Sequence, residues 1–458
     1  MNRATRRKYR ILTVAGLLIA LVISCMFTIV MVMRHTKEVS AKNAAKSEAV
    51  EKKQKEKIKP LTEPLLDLEE KEQTKSTPAK EGEFVLRSVG DLLIHETVSY
   101  MADTSNPLYQ SAMASLKTDG IDVDTLAAGN ETKASETEQV NYDFSPMLAQ
   151  IAPFTEYADA TIANLEVITA YPELPISGYP QFNAPSSLLN NIKNIGVDIV
   201  SNGTNHTLDW FSEGALTSIE HIREAGLMYS GSYASEKDQQ TPRIIDENGI
   251  KLGFLTYSYG TNGIPVDPGK EYTISLVDVE KMVADVTKLK EEVDAVVVTL
   301  QLGQEYETLP DDNQRYVFEM LSEAGVKLIL GGHPHVLQPM DWYNGKETFA
   351  IYSQASFLTG QVNIENKQGG ITEVTFKRQE DGEVMVTNPK FMPLFILGVE
   401  NEKMYEVVPY ADYQKYTIPQ GAEWWGMLQE RMTTYTDDFD YVTHLETART
   451  KEAKDKHR

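Results

Sequence analysis

The sequence predicts an α/β body with a largely buried sheet, preceded by one N-terminal transmembrane helix. Three observations carry this. From about residue 84 short apolar runs alternate with amphipathic helical patterns, as strands joined by helical crossovers do. Residues 11–33 form an uncharged apolar stretch of 23 residues. No internal repeat interrupts either pattern.

The N-terminus comes first. "RATRRKYR" precedes "ILTVAGLLIALVISCMFTIVMVM". As a helix the apolar stretch reaches roughly 34 Å, enough for a hydrocarbon core of about 30 Å. A cleavable signal would be shorter and end in small residues; here Arg34 and His35 follow bulky residues, so 11–33 reads as an uncleaved signal-anchor. The basic residues of 1–10 place that stub in the cytoplasm and the body outside, at the cell membrane. Cys25, the single cysteine, follows "VIS" and loosely resembles a lipoprotein cleavage site, but eight more apolar residues follow it, against cleavage. An exported body without cysteine suits a Gram-positive surface.

Residues 34–81 are rich in Lys, Glu, Ala and Ser and read as a charged extracellular linker. Residues 1–80 hold 17 of the 44 basic and 9 of the 67 acidic residues, leaving 27 basic and 58 acidic beyond them. A body that acidic argues against nucleic acid as a partner and favours cations where carboxylates converge.

The body reads as residues 82–400. It opens at "EFVLRSVGD", a strand ending in a turn. The polar, acidic segment 102–142 reads as a surface insertion. "DATIANLE" and "GVDIVSNG" read as strands, and "SEGALTSIEHIREAG" as a helix capped by Ser212 and stopped by Gly226. Strand, helix, strand, helix, strand follow in "KLGFLTYSY", "SLVDVEKMVADVTKLKEEV", "DAVVVTLQLG", "DDNQRYVFEMLSEAG" and "VKLILGG". The later "TFAIYSQASF" and "GITEVTFKRQEDGEVMVTNPKF" read as sheet with a hairpin. Residues 401–458 form a C-terminal extension without a clear pattern.

Open α/β sheets place chemistry at the carboxyl ends of strands. Here "VGDLLIH" offers Asp91 and His95; "ANLE" offers Asn164 and Glu166. "SNGTNHTLD" offers Asn202, Asn205, His206 and Asp209; "LQLGQEYE" offers Gln301, Glu305 and Tyr306; "GGHPH" offers His333 and His335. Four of the eight histidines are among these. Singly, each has a plain structural reading as a turn or loop residue. Together they place oxygen and nitrogen ligands at strand end after strand end. In extended backbone His333 and His335 project to one side, and the intervening proline favours extension at His333. Carboxylate, amide and imidazole ligands suit one or two divalent ions, Mn, Fe or Zn, and exclude a thiolate site.

In the order of these motifs the chain resembles the CapA family, poly-γ-glutamate capsule biosynthesis proteins of the calcineurin-like metallophosphatase superfamily, over roughly residues 84–360. "VGDLLIH", "ANLE", "GYPQFNAP", "SNGTNHTLDW" and "GGHPHVLQP" carry the resemblance. It implies a metallophosphatase-like layered β-sandwich flanked by helices. It implies Asp91, Glu166, Asn205, His333 and His335 as metal ligands, with His95 a ligand or a support of the ligand shell. His206 would be the acid facing the leaving group, with Asp209 of the same motif beside it as a catalytic candidate. Two segments depart from the family: Gln301-Leu302-Gly303 stands where His-Trp-Gly is usual, and "YSQASF" where Tyr-Ser-Leu-Gly-Asn-Phe is. Gln301 can offer only an amide oxygen to metal.

The resemblance implies a role in capsule polymer biosynthesis, with the polymer or its synthase complex as partner. Two functions follow as expectations. One is an anchored extracellular metal-dependent hydrolase, acting on a phosphoester or on a bond in a surface polymer. The other is a catalytically weak or inactive scaffold of the synthase or export complex. A surface phosphoesterase unrelated to capsule, or a set of loops around a structural ion, remain alternatives.

Overall fold

The computed structural model describes residues 80–129, 141–398 and 404–447. The expected stub, anchor and Cys25 lie outside the described residues, as does all but the end of the linker. Among the described residues no helix is long and apolar enough to cross a membrane.

The described chain is a mixed α/β fold built on two large sheets. The strands that matter are, in chain order, β1 (Glu83–Leu93), β2 (Ala160–Asn164), β3 (Ile199–Ser201), β4 (Met228–Ser230), β5 (Ile250–Ser258), β6 (Ala295–Gln301), β7 (Leu328–Gly332), β8 (Gln338–Tyr343), β9 (Thr348–Ser353), β10 (Ser356–Thr359), β11 (Gln368–Arg378), β12 (Val384–Leu397) and β13 (Glu406–Pro409). The larger sheet runs β13, β12, β11, β1, β2, β3, β4, with β10 also paired to β1. The smaller runs β8, β9, β7, β6, β5 and ends at Ile244–Glu247. Strands β1 to β4 are mutually parallel, as are β5, β6, β7 and β9. Strands β2, β6 and β7 are buried along their whole length, as sheet covered on both faces requires.

The period of two along each strand sorts residues between layers. Phe84, Leu86, Ile162 and Ile199 meet Phe254, Val297, Leu330 and Ile351 in one core between the sheets. Outward residues of the larger sheet, Val89, Ala163 and Val200, pack with Leu188, Ile192, Ile219 and Ile222 of its helices. Val296, Val298 and Ile329 do so on the smaller sheet with Met282, Val286, Phe318 and Leu321. The layers are therefore helix, sheet, sheet, helix.

Several expected boundaries shift. The helix expected to be capped by Ser212 spans Phe211–Glu224 with Trp210 at its cap, so Ser212 lies inside it, buried. Gly226 ends it in left-handed backbone, φ +72°. The helix Asp312–Ala324 starts with a reciprocal capping box of Asp311 and Gln314. In the segment 102–142, the helices Pro107–Thr118 and Val123–Leu126 bury Leu116, Val123 and Leu126 in the outer core. Beyond 403, β13 extends the larger sheet and the helix Gly421–Met432 buries Trp425, Leu428 and Met432 in the inter-sheet core.

Candidate metal centre

Strand register assembles the site. Across the larger sheet Asp91 pairs with Asn164, and Asn164 with Ser201; across the smaller, Gln301 pairs with Gly332. Asn164, Ser201, Gln301 and Gly332 close β2, β3, β6 and β7, Asp91 lies two residues before the end of β1, and the residues just beyond turn into the same space.

Glu166, His333 and His335 each bring a ligand atom within 4.8 Å of the other two, and all three are buried. Neither carboxylate oxygen of Glu166, nor Nδ1 of His333, has a hydrogen-bond partner among the described residues, though Glu166 Oε2 lies 3.6 Å from His335 Nδ1. Buried polar atoms are ordinarily satisfied, and leaving one unmet costs about 1–3 kcal/mol. Three unmet ligand-type atoms in one place fit a divalent ion. Burial, followed by the charge of Asp91, pushes the Glu166 carboxyl well above its ordinary range. Burial also lowers the His333 imidazole to about 3, leaving it neutral and ready to ligate.

Asp91 adjoins this trio. Its Oδ2 lies 3.0 Å from His335 Nδ1, a separation for N–H donation that leaves the far ring nitrogen free. Asn164 Nδ2 donates to Asp91 Oδ1 at 2.7 Å and to Gln301 Oε1 at 3.0 Å. Gln301 Nε2 donates to Asn205 Oδ1 at 3.4 Å. The amide of Gln301 thus links Asn164 to Asn205. Gly332 makes room for this network: a Cβ there would stand 2.7 Å from Gln301 Oε1, 2.8 Å from Asn164 Nδ2 and 2.9 Å from Asp91 Oδ1.

His333 and His335 do converge, but extension is not the cause. Both have left-handed backbone, φ +94° and +56°, in a tight turn after β7. Proline disfavours right-handed helix at His333 without choosing between the remaining regions. Tyr306, Asn262, Phe211 and Ala355 also have positive φ, and Ala355 accepts the Asp91 amide through its carbonyl. Strained backbone of this kind, about 1–3 kcal/mol per residue, gathers at functional sites.

His206 and Asp209 form a second group. Nδ1 of His206 lies 2.7 Å from Asp209 Oδ2, which also accepts the Phe182 amide at 2.6 Å. Burial raises the Asp209 carboxyl while His206 opposes the shift. His95 stands apart: its Nδ1 lies 3.0 Å from the Leu93 carbonyl oxygen and 3.2 Å from the Gly360 amide nitrogen. The Phe182 ring sits edge-on to both His95 and His206, at 5.0 and 4.8 Å between centroids.

Two contributors were absent from the sequence expectations. Asn262 lies 3.4 Å from His206 Nδ1 and accepts from Asn205 Nδ2 at 3.3 Å and from the Tyr259 hydroxyl at 3.1 Å. The Tyr259 ring lies 4.5 Å from that of His333. The strand-end rule, applied to β5 and its "YGTNG" continuation, points to both.

A buried carboxylate–imidazole cluster at the strand ends of a two-sheet α/β fold defines a protein able to hold a divalent ion. The sequence profile of the bacterial capsule synthesis protein PGA_cap family matches residues 85–361, and the chain belongs to that family. The PGA biosynthesis protein CapA of Bacillus subtilis (strain 168) is 26% identical over 262 residues, 55% of this chain and 66% of that protein. The capsule biosynthesis protein CapA of Bacillus anthracis is 26% identical over 199 residues, 42% of this chain and 47% of that one. The chain thus matches less than two thirds of the length of these relatives. Among solved structures, the calcineurin-like phosphoesterase YfkN from Bacillus subtilis aligns with TM-score 0.36 and 14% identity, over 75% of this chain and 97% of that one.

Proposed function

We propose that this chain acts in capsule polymer biosynthesis as a membrane-anchored extracellular protein with a metallophosphatase-like hydrolytic site. One observation carries the catalytic part: the orphaned buried ligand atoms of Glu166 and His333 beside His335, a short step from the His206–Asp209 pair. Glu166, His333 and His335 would hold a divalent ion, with Asp91 a further ligand or the group that orients His335. Such an ion, when bound, supplies Lewis acidity toward a phosphoryl or carbonyl oxygen. His206, oriented by Asp209, would hand a proton to the leaving group. Phe182, Asn262 and the strained loops keep these side chains in place. Family membership supports the capsule role, and the apolar stretch 11–33 supports the anchor.

A second reading, a scaffold of the synthase complex with weak or no turnover, is favoured by Gln301. Its amide is engaged by Asn164 and Asn205, which fits a single ion better than a pair.

Elemental analysis of the chain purified without chelator, with Mn or Zn supplied, tests both. One or two equivalents, lost in His333→Ala and His335→Ala, support the hydrolytic site; none would leave the scaffold. Gln301→His should raise stoichiometry above one. Protease shaving of intact cells should remove the body, and its survival would overturn the extracellular placement.

A further inference from the structure

Two tyrosines rise over the cluster from different loops. Tyr259 follows β5 and Tyr306 follows β6; their rings lie 4.5 Å from His333 and 6.2 Å from His335. The two imidazoles are 5.9 Å apart, so the tyrosines flank the cluster through different ligands. Both remain open to solvent, 44% and 52% exposed. An exposed aromatic ring is ordinarily free to move, yet the Tyr259 ring is tied through its hydroxyl and the backbone of both residues is held. The Tyr259 hydroxyl donates to Asn262 Oδ1 at 3.1 Å and its amide to the Gln301 carbonyl at 2.9 Å. Tyr306 has left-handed backbone, φ +67°, and its amide donates to the Pro334 carbonyl at 2.8 Å. Exposed surface held in advance is surface prepared for a ligand.

Charge narrows the class of ligand. No lysine or arginine among the described residues forms a hydrogen bond or ion pair with Asp91, Glu166 or Asp209. The charge of Glu305 acts on both tyrosines, adding to the burial that pushes the Tyr259 hydroxyl up to about 12 and raises that of Tyr306. A terminal phosphate with two charges would meet carboxylates here that no lysine or arginine among the described residues neutralises. A linkage substituted on both sides carries at most one charge and offers a group to each ring.

We propose that Tyr259 and Tyr306 form a two-sided aromatic mouth that selects an internal, diester-type linkage over a terminal phosphate. This rests on the hydrolytic reading for its chemistry, but the binding it predicts can be measured without turnover.

Bis(p-nitrophenyl) phosphate and p-nitrophenyl phosphate are titrated calorimetrically into the full chain carrying His206→Ala and loaded with Mn. The diester should bind at least about fivefold more tightly than the monoester. Tyr259→Ala and Tyr306→Ala should each weaken diester binding about fivefold. Tyr306→Phe should keep it within about twofold, with Mn content unchanged. Tighter or equal monoester binding, indifference to loss of either ring, or no diester binding would overturn the proposal. Turnover by the chain with His206 intact is scored separately. Absent turnover with tyrosine-dependent diester binding rejects the hydrolase and keeps the mouth.

Discussion

At the scale of single residues, Gly332 keeps open the space the site's hydrogen-bond network fills. The Cβ of Gly332→Ala would meet three side-chain atoms at under 3 Å, all in the buried network that aligns Asp91 and Gln301. Overpacking of this kind costs about 1–3 kcal/mol. Supports of a metal ligand are worth about 10–100-fold in affinity. Gly332→Ala should therefore lower Mn affinity at least about tenfold with a modest fall in stability, read by competition with a fluorescent chelator and by urea unfolding. Proton coupling belongs to the same scale. Burial and then the charge of Asp91 raise the Glu166 carboxyl well above its ordinary range, and it must ionise to ligate. Metal binding should release a proton and strengthen as pH rises toward the raised carboxyl pKa; calorimetry in buffers of different ionisation enthalpy measures it, and Glu166→Gln should abolish the released proton. His333 has the opposite shift in the metal-free chain. Its folded pKa, about 3, lies below the ordinary 6.5, so the unfolded state binds the extra proton between them. The metal-free fold should lose stability as pH falls from about 6.5 toward 3, and His333→Asn should flatten that part of the urea-midpoint profile. The sequence revealed these ligand types because strand-end position is local information. It did not reveal the turn that converges them, since proline at 334 excludes one backbone region and leaves two.

At the scale of elements, β1 is pinned by a buried ion pair. Arg87 faces Glu373 across the β1–β11 ladder, and its Nε donates to Glu373 Oε2 at 2.7 Å. The same guanidinium donates to the Glu446 carbonyl at 2.9 Å and lies 4.5 Å over the Tyr157 ring. A one-residue slip of β11 would turn Glu373 to the other face, away from Arg87, so the pair specifies register. Removing one partner of a buried pair costs about 3–5 kcal/mol, whereas removing both is often much milder. Arg87→Ala should cost at least about 3 kcal/mol in urea unfolding, and Arg87→Met with Glu373→Leu should cost less than that single change. A double variant as unstable as the sum would show that the two side chains act independently. Register of this kind was illegible in sequence, because nothing local in "EFVLRSVGD" names a partner almost 300 positions away. The strands β6 and β7 were legible because their apolar runs are unbroken and the helices before them, Val279–Leu289 and Asp312–Ala324, carry side-chain caps. The helix Gly421–Met432 was not, because it starts after Gln420 at φ +52° with no side-chain cap and contains two glycines.

At the scale of the whole molecule, the ligand trio joins the two sheets. Glu166 follows β2 of the larger sheet, while His333 and His335 follow β7 of the smaller. A bound ion would therefore tie together layers that otherwise meet through their apolar core. A ligand that binds only the folded chain stabilises it by about 2.7 kcal/mol at one hundred times its Kd. Thermal unfolding with saturating Mn should thus occur several degrees higher than after chelation. Because the bridge needs both ends, Glu166→Gln from one sheet and His333→Asn from the other should each erase the Mn-dependent increment. Each should leave the chelated midpoint near that of the unsubstituted chain, since each puts a neutral polar amide where a buried polar group already stood. An increment lost in the histidine variant and kept in Glu166→Gln would mean that the ion sits on the smaller sheet alone. Asp91, hydrogen-bonded to His335 across the two sheets, would then be the carboxylate to substitute next.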